Sequence, residues 1–182
     1  AHFGGFRDNM RHVLLLDMAI HTFDQARYLI GTDARTVFCH EWNPPGSWYA
    51  HGASANCIFT MQNDIVYNYR GSWCSEGCNT AWFGEWRLVG TKGSLTWDGG
   101  TTIEAELVAE AGGFRSTLER IEVSLKKLDE WQTGHKGCIA HFIEAVRKGS
   151  IPETVCTDNI KSLAMVFAAV ESAETGRKIR LD

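Results

Sequence analysis

An aspartate and a histidine four residues apart are the strongest candidates for chemistry in this sequence of 182 residues. Asp17 and His21 lie in the stretch from Leu14 to Gly31, whose apolar residues recur at helical spacing. The two side chains are therefore predicted to share one helical face, with Asp24 one turn further on. A carboxylate beside an imidazole is an arrangement that proteins use for proton transfer near neutral pH. The spacing alone fits a solvated surface pair at least as well.

The elements that would position this pair follow from the pattern along the chain. After the first helix come an extended segment, two hairpins and two further strands: Arg35–Trp42, Ala53–Met61 with Ile65–Trp73, Glu85–Gly90 with Ser94–Trp97, Thr102–Val108 and Arg120–Leu128. Two helices and a short strand follow, namely Gly137–Lys148, a helix capped by Thr157-Asp158 and ended by Gly176, and Lys178–Leu181. This order predicts an α+β fold, with an open, mostly antiparallel β-sheet and helices packed on one face.

Composition excludes several classes of protein. A net charge of −4 leaves no basic footprint for nucleic acid. No apolar run approaches the roughly 18 residues that span a bilayer, so we expect no membrane partner. The six cysteines are scattered, which favours reduced thiols in a cytoplasmic protein. Only Cys74 and Cys78 are closely spaced, and without a second pair we expect no metal site. Ala1 stands where an initiator Met would be, so we expect a processed or trimmed start.

The sequence lacks the motifs of a self-sufficient enzyme. It has no Gly-x-Ser-x-Gly elbow, no His-Glu-x-x-His helix and no Gly-x-Gly-x-x-Gly between a strand and a helix. Thr91-Lys92-Gly93 fails the spacing of a phosphate loop and is predicted to be a hairpin turn. Acid–base candidates without a partner are what half of a two-domain active site would contain.

Several segments together resemble one family of oxidoreductases. Leu16–Gly31 closely resembles the Asp-x-x-x-His helix of the Gfo/Idh/MocA family, named for glucose–fructose oxidoreductase and inositol dehydrogenase. Trp86–Leu95 is similar to that family's Gly-Thr-Lys-Gly hairpin. His141–Gly149 and Thr157–Arg180 resemble its C-terminal helix pair and last strand. The matches occur in the family's order and span nearly the whole chain.

The resemblance implies that residues 1–182 are a single substrate-binding and dimerisation domain. An N-terminal Rossmann domain, absent from this chain, would bind most of the NAD or NADP and carry a Glu-Lys-Pro motif whose lysine assists catalysis. No cofactor-binding residues are then expected here, and the chain alone should be inactive. Because the bare face of the family's sheet often forms a subunit interface, we expect a homo-oligomer.

The resemblance also implies roles for individual residues. His21 would accept the proton of a sugar, polyol or related hydroxyl as hydride leaves the carbon, and would return it in the reverse direction. Asp17 would fix the imidazole or bind a neighbouring hydroxyl. Asp24 is a weaker candidate for substrate binding, since a surface or helix-packing role fits it equally. The loop from Trp73 to Trp82 offers aromatic surface for a sugar ring.

Two features leave room for another interpretation. Arg11-His12-Val13 stands where many members of the family have a glycine-rich segment, which leaves the start of the helix and the substrate open. The strands also carry many tryptophans, which fit an interface or a second small core equally: Trp42, Trp48, Trp73, Trp82, Trp86 and Trp97. The alternative function is a non-catalytic binding or oligomerisation module that keeps the family fold.

Overall fold

The computed structural model describes residues 2–125, 128–129 and 132–181. These residues form three α-helices and eight strands: α1 (Ile20–Ile30), α2 (Gly134–Lys148), α3 (Cys156–Thr175), β1 (Ala34–Trp42), β2 (Ser54–Met61), β3 (Val66–Ser72), β4 (Trp86–Gly90), β5 (Gly93–Trp97), β6 (Ile103–Glu110), β7 (Thr117–Ile121) and β8 (Ile179–Arg180). The predicted α+β class is confirmed. The described strands form two four-stranded antiparallel sheets, in the orders β3-β2-β1-β8 and β4-β5-β6-β7, and residues 73–85 between them contain no strand.

The chain divides into two compact units, and the first contains the predicted site. It comprises the residues up to Gly77 and those from Glu153 onward, and therefore holds α1, α3 and the sheet β3-β2-β1-β8. Alternation along β2 buries Cys57 and Phe59 and exposes Ile58 between them. The ring of Phe23 on α1 packs edge-on against Phe59 at 4.8 Å and against Tyr69 at 5.2 Å. The core of this unit thus lies between the helices and one face of the sheet.

The opposite face of the same sheet is bare. Phe38 of β1 lies directly opposite Ile58 of β2, and both side chains are exposed. Val66 on β3 and Trp42 at the end of β1 are exposed as well. An apolar row across three strands is the kind of surface that a partner covers.

The ends of the helices confirm the predicted glycine stops but not the predicted N-terminal cap. Gly31, Gly149 and Gly176 all adopt left-handed backbone immediately after a helix, as predicted. The predicted cap at Thr157-Asp158 is wrong. Helix α3 begins at Cys156, after the N-cap residue Val155, whose side chain has no hydrogen-bonding atom. Asp158 lies in the first turn, and its carboxylate pairs with Arg27.

The second unit, Cys78–Pro152, contains the other sheet and α2. The turn before Gly93 joins β4 to β5, as expected for a hairpin. A Cβ atom at Gly93 would lie 2.1 Å from the Glu106 carbonyl oxygen, so close strand approach requires this glycine. Strand β7 ends at Ile121 because β6 supplies few partners beyond the Ala105–Ile121 pair. Of the predicted strand Arg120–Leu128, residues 126 and 127 lie outside the described residues.

Candidate functional site

The predicted catalytic pair lies on a helical segment that changes geometry between its two members. Residues Leu15–Ala19 form a π-helical turn, and α1 starts at Ile20. The sequence predicted one continuous α-helix here, which is wrong for this turn. A π turn closes i→i+5 hydrogen bonds and so inserts an extra residue, often at functional sites. Asp17 lies inside the π turn, and His21 follows it near the start of α1.

Asp17 is held by an arginine from the N-terminal segment. Arg7, in the 3₁₀ turn Gly5–Asn9, donates from Nε to Oδ2 of Asp17 at 2.8 Å and from Nη2 to Oδ1 at 3.2 Å. The hydrogen bond to Asp17 raises the pKa of Arg7. This two-point contact fixes the plane of the carboxylate, which a lysine could not do.

The imidazole of His21 is free by comparison. The side chain is exposed, and among residues 2–125, 128–129 and 132–181 it has no hydrogen-bond or ion-pair partner. The structure therefore does not join Asp17 to His21 by a hydrogen bond, although it places them about one turn apart. An exposed, unpaired imidazole can exchange a proton with a bound molecule near neutral pH.

Aromatic rings surround the arginine that holds Asp17. The guanidinium of Arg7 lies 5.3 Å from the ring centre of Phe3 and 4.7 Å from that of Phe6. Phe3 in turn packs on Trp73 at 5.4 Å, and Trp73 lies 6.1 Å from Tyr49. Trp73, at the start of the predicted sugar-stacking loop, is thus largely buried in an aromatic group beneath the N-terminal segment.

A second histidine makes a charged cluster at the start of the helical segment. His12 Nδ1 lies 2.5 Å from Oε2 of Glu41, and Nε2 lies 3.2 Å from Oε1 of Glu174. Because a neutral imidazole has one donor, both hydrogen bonds require either the imidazolium or a protonated carboxyl on one of the two glutamates. The Glu41 side chain is only 9% exposed, and burial raises its pKa against the opposing hydrogen bond with His12. A Cβ atom at Gly52 would lie 2.6 Å from Cγ and Cδ of Glu41, so glycine leaves the space for this carboxylate.

Asp24 has structural partners. Its Oδ1 accepts a hydrogen bond from Ser162 Oγ at 2.5 Å and lies 3.5 Å from Nη1 of Arg27. Arg27 also binds Asp33 and Asp158, so this network ties α1 to α3. Substrate binding by Asp24 stays a prediction.

The cysteines show no metal-site geometry in the described part of the chain. No three side chains among its His, Cys, Asp and Glu residues converge as ligands. Cys74 Sγ instead lies 3.6 Å from Ser72 Oγ, and Cys39 and Cys57 are a buried cross-strand pair of thiols 3.4 Å apart.

Sequence reasoning missed Arg7, His12 and Glu41. Arg7 precedes the periodic helix in a glycine-bearing loop, and its partner lies ten residues away, beyond any local spacing rule. Glu41 lies one residue before the end of β1 and faces inward, where a β-strand pattern predicts an apolar residue. The one available signal was His12 itself, which stands in the segment where the family has glycines.

Comparison with known proteins identifies the family of this chain. The model of the Gfo/Idh/MocA "Oxidoreductase family, C-terminal alpha/beta domain" matches residues 12–181. The uncharacterised protein y4oX of Sinorhizobium fredii is 26% identical over 183 aligned positions, which cover 98% of this chain and 49% of that protein. This chain thus spans about half the length of the relative.

Solved structures share the fold at low sequence identity. An oxidoreductase from Agrobacterium radiobacter, in complex with NAD+, L-tartaric acid and magnesium, matches with a TM-score of 0.70 and 21% identity, covering 93% of this chain and 49% of that one. Aldose-aldose oxidoreductase from Caulobacter crescentus, complexed with glycerol, matches with a TM-score of 0.69 and 19% identity over 92% and 47%. Levoglucosan dehydrogenase, in complex with NADH and L-sorbose, matches with a TM-score of 0.69 and 17% identity over 92% and 50%.

The similarity to solved structures establishes the fold, and the match to the family model establishes the family to which the chain belongs. Within the described residues, none of the helices has the length and apolar content needed to cross a bilayer. The chain belongs to the Gfo/Idh/MocA oxidoreductase family and corresponds to its C-terminal α/β domain.

Proposed function

We propose that this chain, as a member of that family, is the substrate-side part of an NAD(P)-dependent oxidoreductase acting on a sugar, polyol or related metabolite. The observation that carries the proposal is His21, an exposed and unpaired imidazole beside a carboxylate fixed by Arg7. Its structural relatives support the substrate class, since they were solved with NAD+ and L-tartaric acid or with NADH and L-sorbose. A cytoplasmic location is part of the proposal and is supported by the scattered cysteines.

The glycine-bearing turn between Gly90 and Gly93 supports a division of substrate and cofactor between domains. It joins two antiparallel strands, whereas a dinucleotide site uses a glycine turn that leads from a strand into a helix. We therefore assign the cofactor to a separate N-terminal Rossmann-type domain. When bound, the nicotinamide supplies the hydride acceptor or donor.

The proton chemistry falls to residues of this chain. His21 takes the proton of the reacting hydroxyl in the oxidative direction and returns it in the reductive direction. Asp17 acts as a rigid acceptor for a neighbouring hydroxyl, because each carboxylate oxygen keeps a lone pair beyond its bond to Arg7. Of the two roles predicted for Asp17, hydroxyl binding is favoured over fixing the imidazole.

Two measurements test this function. Titration of NADH into the 182-residue chain should show no stoichiometric binding, and micromolar affinity would contradict the division of labour. In the protein that combines this chain with a dinucleotide-binding domain, His21→Ala should lower turnover by roughly 10²–10⁴-fold, the usual worth of positioned proton transfer. His51→Ala, which alters another exposed histidine, is the matched control. Unchanged turnover in His21→Ala would remove this residue from the mechanism.

The bare sheet face supports association as a second property. We propose a homo-oligomer formed through the surface around Phe38 and Ile58, whose exposure is otherwise unfavourable. The same surface would serve the alternative function, a non-catalytic binding module. The intact mass of the native protein separates the two, because only the enzyme requires a polypeptide about twice this length with a dinucleotide fingerprint.

A further inference from the structure

His12 is held in a backbone conformation that suits glycine. Its φ is 54°, in the left-handed region that side chains with a Cβ rarely adopt. Asp64, with a φ of 63°, shares this conformation but lies in the exposed turn between β2 and β3. The strain at Asp64 is typical of a turn. At His12 the chain instead places a bulky ring at the start of the segment that carries the proposed site, where strain often accompanies function.

The His12 ring contacts two elements that lie far away in sequence. Glu41 is the penultimate residue of β1, and Glu174 lies in the last turn of α3. The ring bridges the two carboxylates, and Arg11 also reaches Glu174 at 3.5 Å. Side-chain atom Oε1 of Glu41 is buried and has no hydrogen-bond partner among the described residues, so the contact with His12 is the main compensation for burying this carboxylate.

The backbone of His12 connects this cluster to the proposed site. Its carbonyl oxygen accepts a hydrogen bond from the Leu16 amide at 2.9 Å, which closes the first helical turn. The π turn that contains Asp17 begins within that turn. Fixing the His12 side chain therefore fixes the direction in which the chain enters the π turn.

We propose that His12 is a positioning residue, whose imidazole ties the start of the helical segment to β1 and α3 and so holds Asp17 and His21 in register for proton transfer. This inference rests on the proposed function for its catalytic consequence. The contacts of His12 with Glu41 and Glu174 themselves are observed in the described structure. Replacement of His12 by glycine relieves the backbone strain and also removes the contacts with Glu41 and Glu174. We therefore expect a loss of order near residues 16–21 that is not matched by a loss of stability in the whole chain.

Amide hydrogen exchange on the 182-residue chain tests the tie directly. His12→Gly should lower the protection of the amides of residues 16–21 by about 10-fold or more, because two hydrogen bonds to charged groups are lost. The thermal midpoint should change little, because relief of the strained backbone offsets part of the cost of leaving the Glu41 carboxylate without its contact to His12. Asp64→Gly is the matched control: it removes the same strain and an exposed pair with Arg35, and should leave residues 16–21 unchanged.

Two outcomes would overturn the inference. One is parental protection of residues 16–21 in His12→Gly. The other is a uniform loss of protection throughout the first unit together with a lower thermal midpoint, which would make His12 a general stabiliser. His12→Asn repeats the comparison, since asparagine tolerates left-handed backbone but is too short to bridge both carboxylates.

Measurement of turnover tests whether the contacts of His12 with Glu41 and Glu174 matter for catalysis. In the protein with its dinucleotide-binding domain, His12→Gly should lower kcat by about 10-fold to 10²-fold with KM nearly unchanged, since small misplacement of a catalytic group is costly. Parental kcat despite lost protection would refute the catalytic role of the tie. If the parent protein itself turns over no sugar or polyol, the proposed function fails, and the exchange experiment still decides whether His12 positions the segment.

Discussion

Arg27→Met should destabilise the first unit more than any surface charge substitution. Arg27 is 8% exposed and donates five hydrogen bonds of 2.8–3.2 Å to Asp33, Asp158 and Ser162. Methionine keeps an apolar side chain of similar reach, so the substitution removes mainly the charge and its hydrogen bonds. The change tests whether this network, and not apolar packing alone, joins α1 to α3.

The magnitude follows from how well the partners can be rehydrated. Removing one member of a fully buried ion pair costs about 3–5 kcal/mol, because the other charge is left buried. Here the carboxylates of Asp33, Asp158 and Asp24 are 27%, 49% and 53% exposed, and Asp33 keeps a contact with Lys161 at 3.0 Å. We therefore expect a loss of about 2–3 kcal/mol in the free energy of unfolding. At about 2–4 °C per kcal/mol for a chain of this size, the thermal midpoint falls by about 4–12 °C.

The same network predicts a dependence on pH. The hydrogen bond from Arg27 lowers the pKa of Asp158 below its ordinary value of 3.8. For Asp33, burial raises the pKa, but the hydrogen bonds from Lys161 and Arg27 outweigh it and the pKa is lowered. A carboxyl whose pKa is lowered by folding adds stability above its unfolded pKa and loses it as pH falls through the folded one. The stability difference between parent and Arg27→Met should therefore shrink below about pH 4.

Denaturant and thermal unfolding followed by circular dichroism measure this effect. Arg35→Met is the control, because the Arg35–Asp64 pair is 46% and 78% exposed and pairs of that kind contribute about 0–1 kcal/mol. Arg27→Lys should fall between the two, since lysine keeps the charge without the planar fork. A loss under about 1 kcal/mol in Arg27→Met, equal to that of Arg35→Met, would refute the reasoning.

Two further predictions concern the site and the bare face. Arg7→Lys should raise KM more than it lowers kcat, because Asp17 keeps a cation but loses its fixed plane; equal KM values in both proteins would dissociate Arg7 from substrate binding. If the chain forms the proposed homo-oligomer, Ile58→Lys should shift it toward monomer in sedimentation velocity, whereas Tyr28→Lys, at an exposed position on α1, should not. An unchanged oligomer in Ile58→Lys, or a monomeric parent, would contradict the proposed interface.

Local pattern predicted most elements because their determinants are local. Alternation defined β2 and β3, and glycine marked three helix ends with left-handed backbone. The start of α3 could not be predicted, because its N-cap residue Val155 has no side chain that can cap a helix. The role of Asp158 could not be predicted either, because its partner Arg27 is 131 residues away. The separation of the strands into two sheets also depends on pairing between distant segments, which periodicity does not encode.

The candidate site was predictable only in part for the same reason. Asp17 and His21 share a local spacing, so the sequence identified them together. The partner of Asp17 comes from a turn ten residues earlier, and the π turn has no periodic signal of its own. Local rules assume a continuous α-helix and therefore pair His21 with Asp17. In the described structure Asp17 is bound by Arg7 instead.

Two of the features that local rules miss, the left-handed backbone at His12 and the burial of Glu41, oppose stability. Left-handed backbone at a residue with a Cβ costs roughly 1–2 kcal/mol. Burial raises the pKa of Glu41, so the folded chain holds that proton more tightly than the unfolded chain, and stability falls as pH rises from 4.5 through the folded pKa. Both costs are therefore present at neutral pH, and a glycine or a neutral side chain would remove them. Stability alone does not explain why a strained histidine and a buried glutamate meet at this point. The proposed role of His12 accounts for it, because the contacts of His12 with Glu41 and Glu174 act on the backbone that leads directly into Asp17 and His21.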